Sequence, residues 1–574
     1  MGTENSWKRI FGVNLRLCGL AVLVGMLSGF GAILFRWFIF WVGDLAYYGT
    51  FSRTYLPPSE HGLGPWAVVI PALGGLLVGL ITRFFAPETK GHGVPEVMAA
   101  VATQGGRIRP RMALAKVLAS GICIGTGGAA GRVGPTVQIG SALGSMVGQY
   151  LRLPPGELKV LVGCGAAGGI AATFNTPLAG VIFSVEVILL ELRTRSFVPL
   201  VISSTAATMI SRAFLGPEPA FSVPPYSLRS PWELLLYLGL GFGAALVGLA
   251  ETRLLYKFED LFDLLPISPP LKAAGGGLLL GGLALLVPQV LGTGYETVDR
   301  ILAGEFSPTP GVAGFLLGLS FAKALALALT LGSGGSGGVF GPSLFVGAAF
   351  GGAFGVMVNL LLPGLTAPYP AYALVGMAAV FSAASRATLS AIVMLFEMTR
   401  NYEIILPLTF ACVVADIVAF SISKETIYTL KLSRRGIRLA PEMELNWLRV
   451  HRVDDVMRRT VEVVPEDATV AEVREKMART GHPGFPVVDR CGKLVGIVTH
   501  SEILKALGEP ERRVGEVAVR KPLVAYPDEP LDVVWERLRR SGVGRLPVVA
   551  RDEPERIVGF ISLADIVSRI GWSE

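Results

Sequence analysis

The chain has 574 residues, 51% of them hydrophobic and only 17% charged, with a formal net charge of +7 and a mean hydropathy of +0.56. A soluble globular chain carries about a quarter charged residues, so an ordinary soluble enzyme is excluded for most of this length and a lipid-embedded protein is indicated. Residues 1–440 hold long apolar segments from Leu15 to Ile422, whereas residues 441–574 read as a compact soluble tail.

The N-terminus is short and polar, and the apolar stretch Leu15 to Trp41 is too long for the core of a secretory signal. It predicts a first membrane helix. Lys8, Arg9 and Arg16 before it, and Lys431, Arg434, Arg435 and Arg438 after the last apolar segment, place both termini in the cytoplasm of a multi-pass plasma-membrane protein with an even number of crossings. The five cysteines, Cys18, Cys123, Cys164, Cys412 and Cys491, are scattered without CxxC spacing. Neither a disulfide framework nor a zinc site is expected, and packing is their predicted role.

Three glycine-rich segments follow in chain order. Gly91-His92-Gly93-Val94-Pro95-Glu96 leads into a predicted helix from about Val97 to Thr103; Gly131-Arg132-Val133-Gly134-Pro135 and Gly338-Val339-Phe340-Gly341-Pro342 also open apolar, helix-compatible runs. Proline suits the first turn of a helix, where its missing N–H is no loss, and glycine lets the preceding backbone turn sharply and approach a ligand. The free N–H groups of the helix start, with roughly +0.5 charge from the macrodipole, then face the gap. In hydrocarbon such donors must line a site, and a dehydrated anion satisfies them without the deep trap of a buried Lys or Arg.

Laying residues 125–148 over 332–355 needs no gap and gives ten identities in twenty-four positions, nine of them glycine or proline. A second block, Leu161-Val162-Gly163 through Leu178 and Glu186, runs parallel to Leu374-Val375-Gly376 through Leu389 and Glu397 at nearly the same offset. Two matched blocks predict duplicated halves, with interrupted helices directed at a site near the bilayer midplane. Whether the halves are parallel or inverted cannot be read from the pattern.

Residues 10–435 closely resemble the CLC family of chloride channels and chloride/proton exchangers. The family motifs GSGIP, GREGP and GxFxP occur in order as Gly91 to Pro95, Gly131 to Pro135 and Gly338 to Pro342, and Lys424-Glu425-Thr426-Ile427-Tyr428 matches the start of the final helix. The resemblance implies an all-α membrane domain of about eighteen mostly tilted helices in two inverted repeats, assembled as a homodimer with one pore per subunit. It also implies that these three segments line the pore and that the Tyr428 hydroxyl binds the central chloride.

Three departures from the family bear on mechanism. In exchangers the third residue of GREGP is a glutamate that competes with chloride and carries the proton; here it is Val133. Aligning Phe174-Asn175-Thr176-Pro177-Leu178-Ala179-Gly180 with the family's FNxPLAG segment puts Val187 at the internal proton-path glutamate and Glu186 one residue early. Both proton stations are aliphatic, so the expectation is a passive channel without that gate. The alternatives are a proton-coupled exchanger with another path and a non-conducting sensor; Val133 itself reads either as open wall or as a plug. The third departure is His92, where chloride-selective members often carry serine and nitrate-handling plant members proline. It can donate one N–H to the anion or only bond nearby backbone. Arg132 and Glu397 are expected to be paired structurally, and Glu186 to lie near the intracellular vestibule.

The tail, from about Val453, repeats one pattern. Pro486-Val487-Val488, Gly496-Ile497-Val498-Thr499 and Glu502 are answered by Pro547-Val548-Val549, Gly559-Phe560-Ile561-Ser562 and Asp565. This resembles an α/β tandem CBS pair, about residues 451–507 and 513–570, in which the Ser/Thr and the acid three residues later contact phosphate and ribose of an adenine nucleotide. Thr499, Glu502, Ser562 and Asp565 are the candidate nucleotide-binding residues; the other reading is a dimer strut that binds nothing. No nucleophile–base pair or metal cluster suggests an enzyme. The expected partners are chloride and other small anions, the lipid bilayer and a second copy of the chain, with no required cofactor and no nucleic acid.

Overall fold

The computed structural model describes residues 15–437, Leu448 and 451–570, apart from 51–55, 61, 191–193, 222, 225, 227, 507 and 542. Lys8, Arg9 and Arg438 lie outside the described residues. The chain divides into two compact units, Met1–Leu439 and Ala440–Glu574.

The first unit is entirely helical among the described residues apart from isolated bridges. Backbone groups in lipid have to be satisfied internally, and an apolar chain does so locally by coiling. Helix α1 spans Leu15–Tyr48, seven residues past its predicted end. It is followed by α2 Val69–Phe84, α3 Val94–Thr103, α4 Arg111–Gly125, α5 Val133–Tyr150, α6 Pro155–Phe174 and α7 Pro177–Phe183, which runs into a π-helical turn, Ser184–Leu189. Then come α8 Thr194–Leu215, α9 Leu234–Leu264, α10 Pro269–Leu286, α11 Tyr295–Leu302 and α12 Pro310–Gly332. The unit closes with α13 Phe340–Leu361, α14 Tyr369–Ser385, α15 Thr388–Thr399, α16 Ile405–Ile422 and α17 Thr429–Arg434. Nine helices among the described residues are long and apolar enough to cross a membrane. The rest, α3 and α7 included, are fragments that can start or stop inside one.

The duplication is visible in three dimensions. Helices α4 to α7 correspond to α12 to α15, and α5 packs on α6 as α13 packs on α14. A Cβ on Gly140 would stand 2.1 Å from the Gly165 carbonyl oxygen, and one on Gly347 would stand 2.4 Å from that of Gly376. Each half thus crosses its central helices backbone to backbone at equivalent glycines, the close approach that small residues give membrane helices.

The halves also cap each other. The Glu186 carboxylate accepts from the N–H groups of Leu389 (3.2 Å) and Ser390 (2.8 Å), and Glu397 accepts from those of Leu178 (3.1 Å) and Ala179 (2.7 Å). An acidic side chain at a helix start satisfies donors the helix cannot. The expected ion pair of Glu397 is therefore corrected: its partner is a helix end. The sequence showed a charge but not the helix end it faces.

The tail forms two α/β lobes. One pairs β1 Val464–Pro465, β2 Gly484–Val488, β3 Leu494–Thr499 and β4 Val519–Arg520 in that order, β1 parallel to β2 and the others antiparallel. The other pairs β5 Arg545–Val549 with β6 Ile557–Ser562 antiparallel. Helices α18 Val453–Val456, α19 Val470–Thr480, α20 His500–Lys505, α21 Val514–Val517, α22 Leu531–Ser541 and α23 Leu563–Ile570 complete it. Each lobe buries its own core, around Val487 and Val498 in the first and Val548 and Ile561 in the second.

Candidate functional site

The three glycine motifs, far apart in sequence, meet. Gly131 and Gly338 occupy equivalent positions of the two halves and exchange both backbone hydrogen bonds, each N–H donating to the other's carbonyl at 2.7 Å. The Gly91 N–H donates to the Gly335 carbonyl at 2.9 Å, and the Gly337 N–H to the Gly91 carbonyl at 3.3 Å. The first motif is pinned further by Lys116, which is fully buried and donates to the carbonyls of Thr89 (3.0 Å) and Gly91 (2.9 Å) and to the Ser336 hydroxyl (3.0 Å). Its counterpart Lys323 holds the carbonyls of Val290 and Gly292, both at 2.9 Å.

The helices begin at this junction. Helix α5 starts at Val133 and α13 at Phe340, each preceded by a residue in helical conformation rather than by a capping side chain. The backbone N–H groups of Val133, Gly134, Phe340 and Gly341 donate to no acceptor among the described hydrogen bonds outside helices. They are the free donors a helix start offers. Val133, Val339 and Phe340 are each 1% exposed, and Phe340 packs edge-on to Phe381 at 4.6 Å between ring centroids. Gly93, with φ of +84°, takes a conformation open to glycine at no penalty and starts α3.

The fourth element arrives from the C-terminal end. The Thr426 hydroxyl accepts from the N–H groups of Tyr428 and Thr429 and so starts α17. Ile427 is fixed on both sides, its N–H on the Ala384 carbonyl and its carbonyl on the Tyr256 hydroxyl, each at 2.8 Å. Tyr428 is thereby buried beside His92, with ring centroids 6.0 Å apart, and beside Phe183 at 6.3 Å. Glu96, in the first turn of α3, pairs with Lys431 and Arg435, which binds the first motif's helix to the segment carrying Tyr428.

His92 is 3% exposed, and its Nε2 lies 3.4 Å from the Tyr256 hydroxyl, while Nδ1 is buried without a protein partner. The nearby backbone bond that one reading expected is not seen among the described residues: one ring nitrogen is near a side-chain hydroxyl and the other is open. Arg132 is not ion-paired as expected with any of the described residues; its guanidinium lies over the rings of Tyr295 (5.3 Å) and Phe174 (6.0 Å). It lines a cavity of about 230 Å³ together with Arg36, Thr293, Tyr295 and Glu296. Gln138, farther along the same helix, lines a second cavity of about 220 Å³ with Glu96, Arg109 and Arg435. The first turns of α5 thus reach two separate cavities.

The predicted residues at positions 91–95, 131–135, 338–342 and 428 are therefore gathered in one place. Val187 lies elsewhere, buried in the π-helical turn after α7, and its neighbour Glu186 is engaged as a helix cap rather than standing free. Sequence reading missed Lys116, Lys323, Ser336, Glu251 and Ser343. A signal existed for the lysines, since they stand at equivalent positions of the repeat in otherwise apolar helices.

In the tail, Thr499 and Glu502 form a capping box at the start of α20, the Glu502 carboxylate accepting from the Thr499 N–H and hydroxyl. Asp565 does the same for α23, accepting from the Ser562 N–H at 3.0 Å and its hydroxyl at 2.5 Å. The second copy differs in its cations. Arg458 donates to Asp565 at 2.7 Å, and burial holds the nearby Arg545 guanidinium below its ordinary value, with the Asp565 charge opposing.

Residues 74–420 match the sequence model of the voltage gated chloride channel family, and residues 453–509 and 514–571 match that of the CBS domain. The chain is 33% identical over 434 residues to a ClcB-like chloride channel protein of Ralstonia nicotianae, covering 74% of this chain and 99% of that one. It is 34% identical over 430 residues to the H(+)/Cl(-) exchange transporter ClcA of Vibrio parahaemolyticus, covering 72% and 89%. Among solved structures it is similar to a slow cyanobacterial Cl-/H+ antiporter, with a TM-score of 0.65 at 27% identity over 73% of this chain and 98% of that one.

The close packing of the motifs generates a prediction. A Cβ at Gly134 would stand 2.1 Å from the His92 carbonyl oxygen, so Gly134→Ala has to push the first and second motifs apart. Overpacking of this kind costs roughly 1–3 kcal/mol. The expected outcome is a lower unfolding temperature of detergent-solubilised protein with loss of anion flux; unchanged stability and flux would refute the packing described.

Proposed function

The chain belongs to the CLC family of voltage gated chloride channels, and from that premise we propose that it is a passive chloride channel, one pore per subunit of a plasma-membrane homodimer with cytoplasmic termini. Members of this family move anions across membranes, by conduction in some and by proton exchange in others. The observation that carries the channel reading is Val133. It opens α5 amid free backbone donors, at the position where the exchangers of the family place their proton-carrying glutamate. Valine neither competes with chloride for those donors nor binds a proton. Val187 adds to this, because the corresponding inner station is aliphatic too.

In this reading the anion is held by partial charges: the N–H groups at the starts of α5 and α13, the Tyr428 hydroxyl and one nitrogen of His92. Such a site binds without trapping. Lys116 fixes the loop carbonyls and so keeps them from turning toward the anion. Arg36 and Arg132 put guanidinium groups on the wall of the cavity before α5, which Glu296 and Asp299 also line.

For the tail, we propose that nucleotide binding is confined to the second copy. There Arg458 and Arg545 stand beside Asp565 and can take phosphate while the acid takes ribose; the first copy has the longer Glu502 and no such described pair.

Three measurements test these readings. The reversal potential of purified protein under a chloride gradient is expected at the chloride equilibrium value and unmoved by a pH gradient. A pH-dependent displacement would establish exchange, and no flux would favour the sensor reading. Val133→Glu is expected to reduce flux at least several-fold at neutral pH and to regain it on acidification, because a carboxylate competes with chloride and its protonated form does not; flux equal to the parent at every pH would remove Val133 from the pore. In equilibrium dialysis of the whole protein with labelled AMP or ATP at about millimolar concentration, comparable to what a weak phosphate site needs, retention is expected. It should be lost in Asp565→Ala and kept in Glu502→Ala. No retention by the parent protein would make the tail a strut.

A further inference from the structure

Glu251 sits in the middle of α9, an apolar membrane helix, and is 1% exposed. Its Oε1 lies 2.9 Å from the Ser343 hydroxyl, and its Oε2 is buried with no partner among the described residues. Ser343 belongs to the first turn of α13, directly after Gly341 and Pro342, so this carboxyl stands behind the helix start that offers its free donors to the anion. It is also within electrostatic reach of Tyr428.

The hydrogen count at Ser343 is informative. Its Oγ lies 2.9 Å from Glu251 and 3.0 Å from the Val339 carbonyl, yet a hydroxyl carries one hydrogen and a carbonyl carries none. Both contacts are full hydrogen bonds only when Glu251 is protonated and donates to Ser343, leaving the Ser343 hydrogen for Val339. When Glu251 is ionised, Ser343 has to turn toward the carboxylate and release Val339, the residue preceding α13. Protonation therefore bears on the anion site by two routes, the field of the carboxylate and the bonding of the loop.

The surroundings offer little to neutralise that charge. No cation acts on Glu251 among the described residues. The helices packed against α9 carry Lys323 on α12, Tyr369 and Tyr372 on α14, and Cys412 and Asp416 on α16; α9 itself carries Tyr237, Arg253, Tyr256, Lys257, Glu259, Asp260 and Asp263, and the motif junction adds His92, Glu96, Lys116, Tyr428 and Lys431. Of these, Glu251 is the carboxyl that meets the first turn of α13, and His92, Lys116 and Lys323 are groups whose titration would have the same sign.

We propose that Glu251 is a proton-binding residue linked to anion occupancy: the site takes chloride more tightly when Glu251 is protonated, and chloride binding draws a proton onto it. The second half follows from the first, because coupling between two ligands is reciprocal. The proposal rests on the anion site assigned above. It is compatible with passive conduction, since linkage at equilibrium changes occupancy and conductance without fixing a stoichiometry of transport.

The test is chloride affinity by titration calorimetry on the intact detergent-solubilised protein, from roughly pH 5 to roughly pH 9, a range reachable by buried carboxyls. For the parent protein, affinity is expected to weaken by roughly tenfold with rising pH, the effect of one unit charge at about 10 Å in a protein-like medium. In Glu251→Gln the acidic-side affinity should persist throughout; a pH dependence unchanged in that variant, or absent from the parent, overturns the proposal. Histidine or lysine titration gives the same sign, so His92→Gln, Lys116→Met and Lys323→Met are measured beside it: pH dependence retained in all three supports Glu251, and its loss in any one assigns the linkage to that residue and overturns the proposal, which also settles the matter if Glu251→Gln does not accumulate. Absence of chloride binding at every pH in the folded parent would instead overturn the site assignment itself.

Discussion

Unbonded backbone donors inside a membrane are the constraint on which the rest of this molecule depends. A helix that starts within the hydrocarbon leaves N–H groups that cost several kcal/mol each if nothing meets them. Here several such starts are gathered by the exchanged pair between Gly131 and Gly338. Because that pair joins equivalent points of two halves, it places α5 and α13 about a local two-fold relation. An anion is then the economical partner, since it meets donors from two helices at once.

The same constraint explains most of the intramembrane charge. Glu186 and Glu397 satisfy helix starts of the opposite half, and Lys116 and Lys323 satisfy carbonyls of the irregular loops. Each charge is matched to backbone groups that the fold leaves over, and each has a counterpart in the other half. Glu251 has no acidic counterpart in this scheme: it bonds a hydroxyl, and one of its oxygens meets no protein donor. On the proposal above, the oxygen without a donor is what lets Glu251 take up a proton beside the anion site.

How much of this was legible in the sequence depended on whether the signal was local. The three motif starts are local, being glycine before proline before an apolar run, and Tyr428 came with a contiguous segment resembling the family. The first helix was read seven residues short because the apolar stretch was taken only to Trp41, yet Gly43 and Asp44 beyond it are buried within α1. Glu397 was misread for a deeper reason: its partner is a helix start 219 residues away. Nothing in the sequence around either end declares that meeting. Lys116 and Ser336 meet across a comparable gap, although the matched repeat positions of Lys116 and Lys323 held a clue that went unused.

The two valines and Glu251 together define what kind of machine the site can be. A proton-coupled exchanger needs a titratable group that alternates with the anion in the same place, so that one cannot move without the other. Valine at 133 removes that competition at the mouth of α5, while Glu251 lies behind the α13 start, bonded to its first turn. From there, on the site proposed above, it would alter how tightly the anion is held without occupying the anion's place. On the reading proposed above, a carboxyl that tunes without competing would give conduction that senses pH. The distinction rests on whether the carboxyl stands in the anion's path or behind the backbone that lines it.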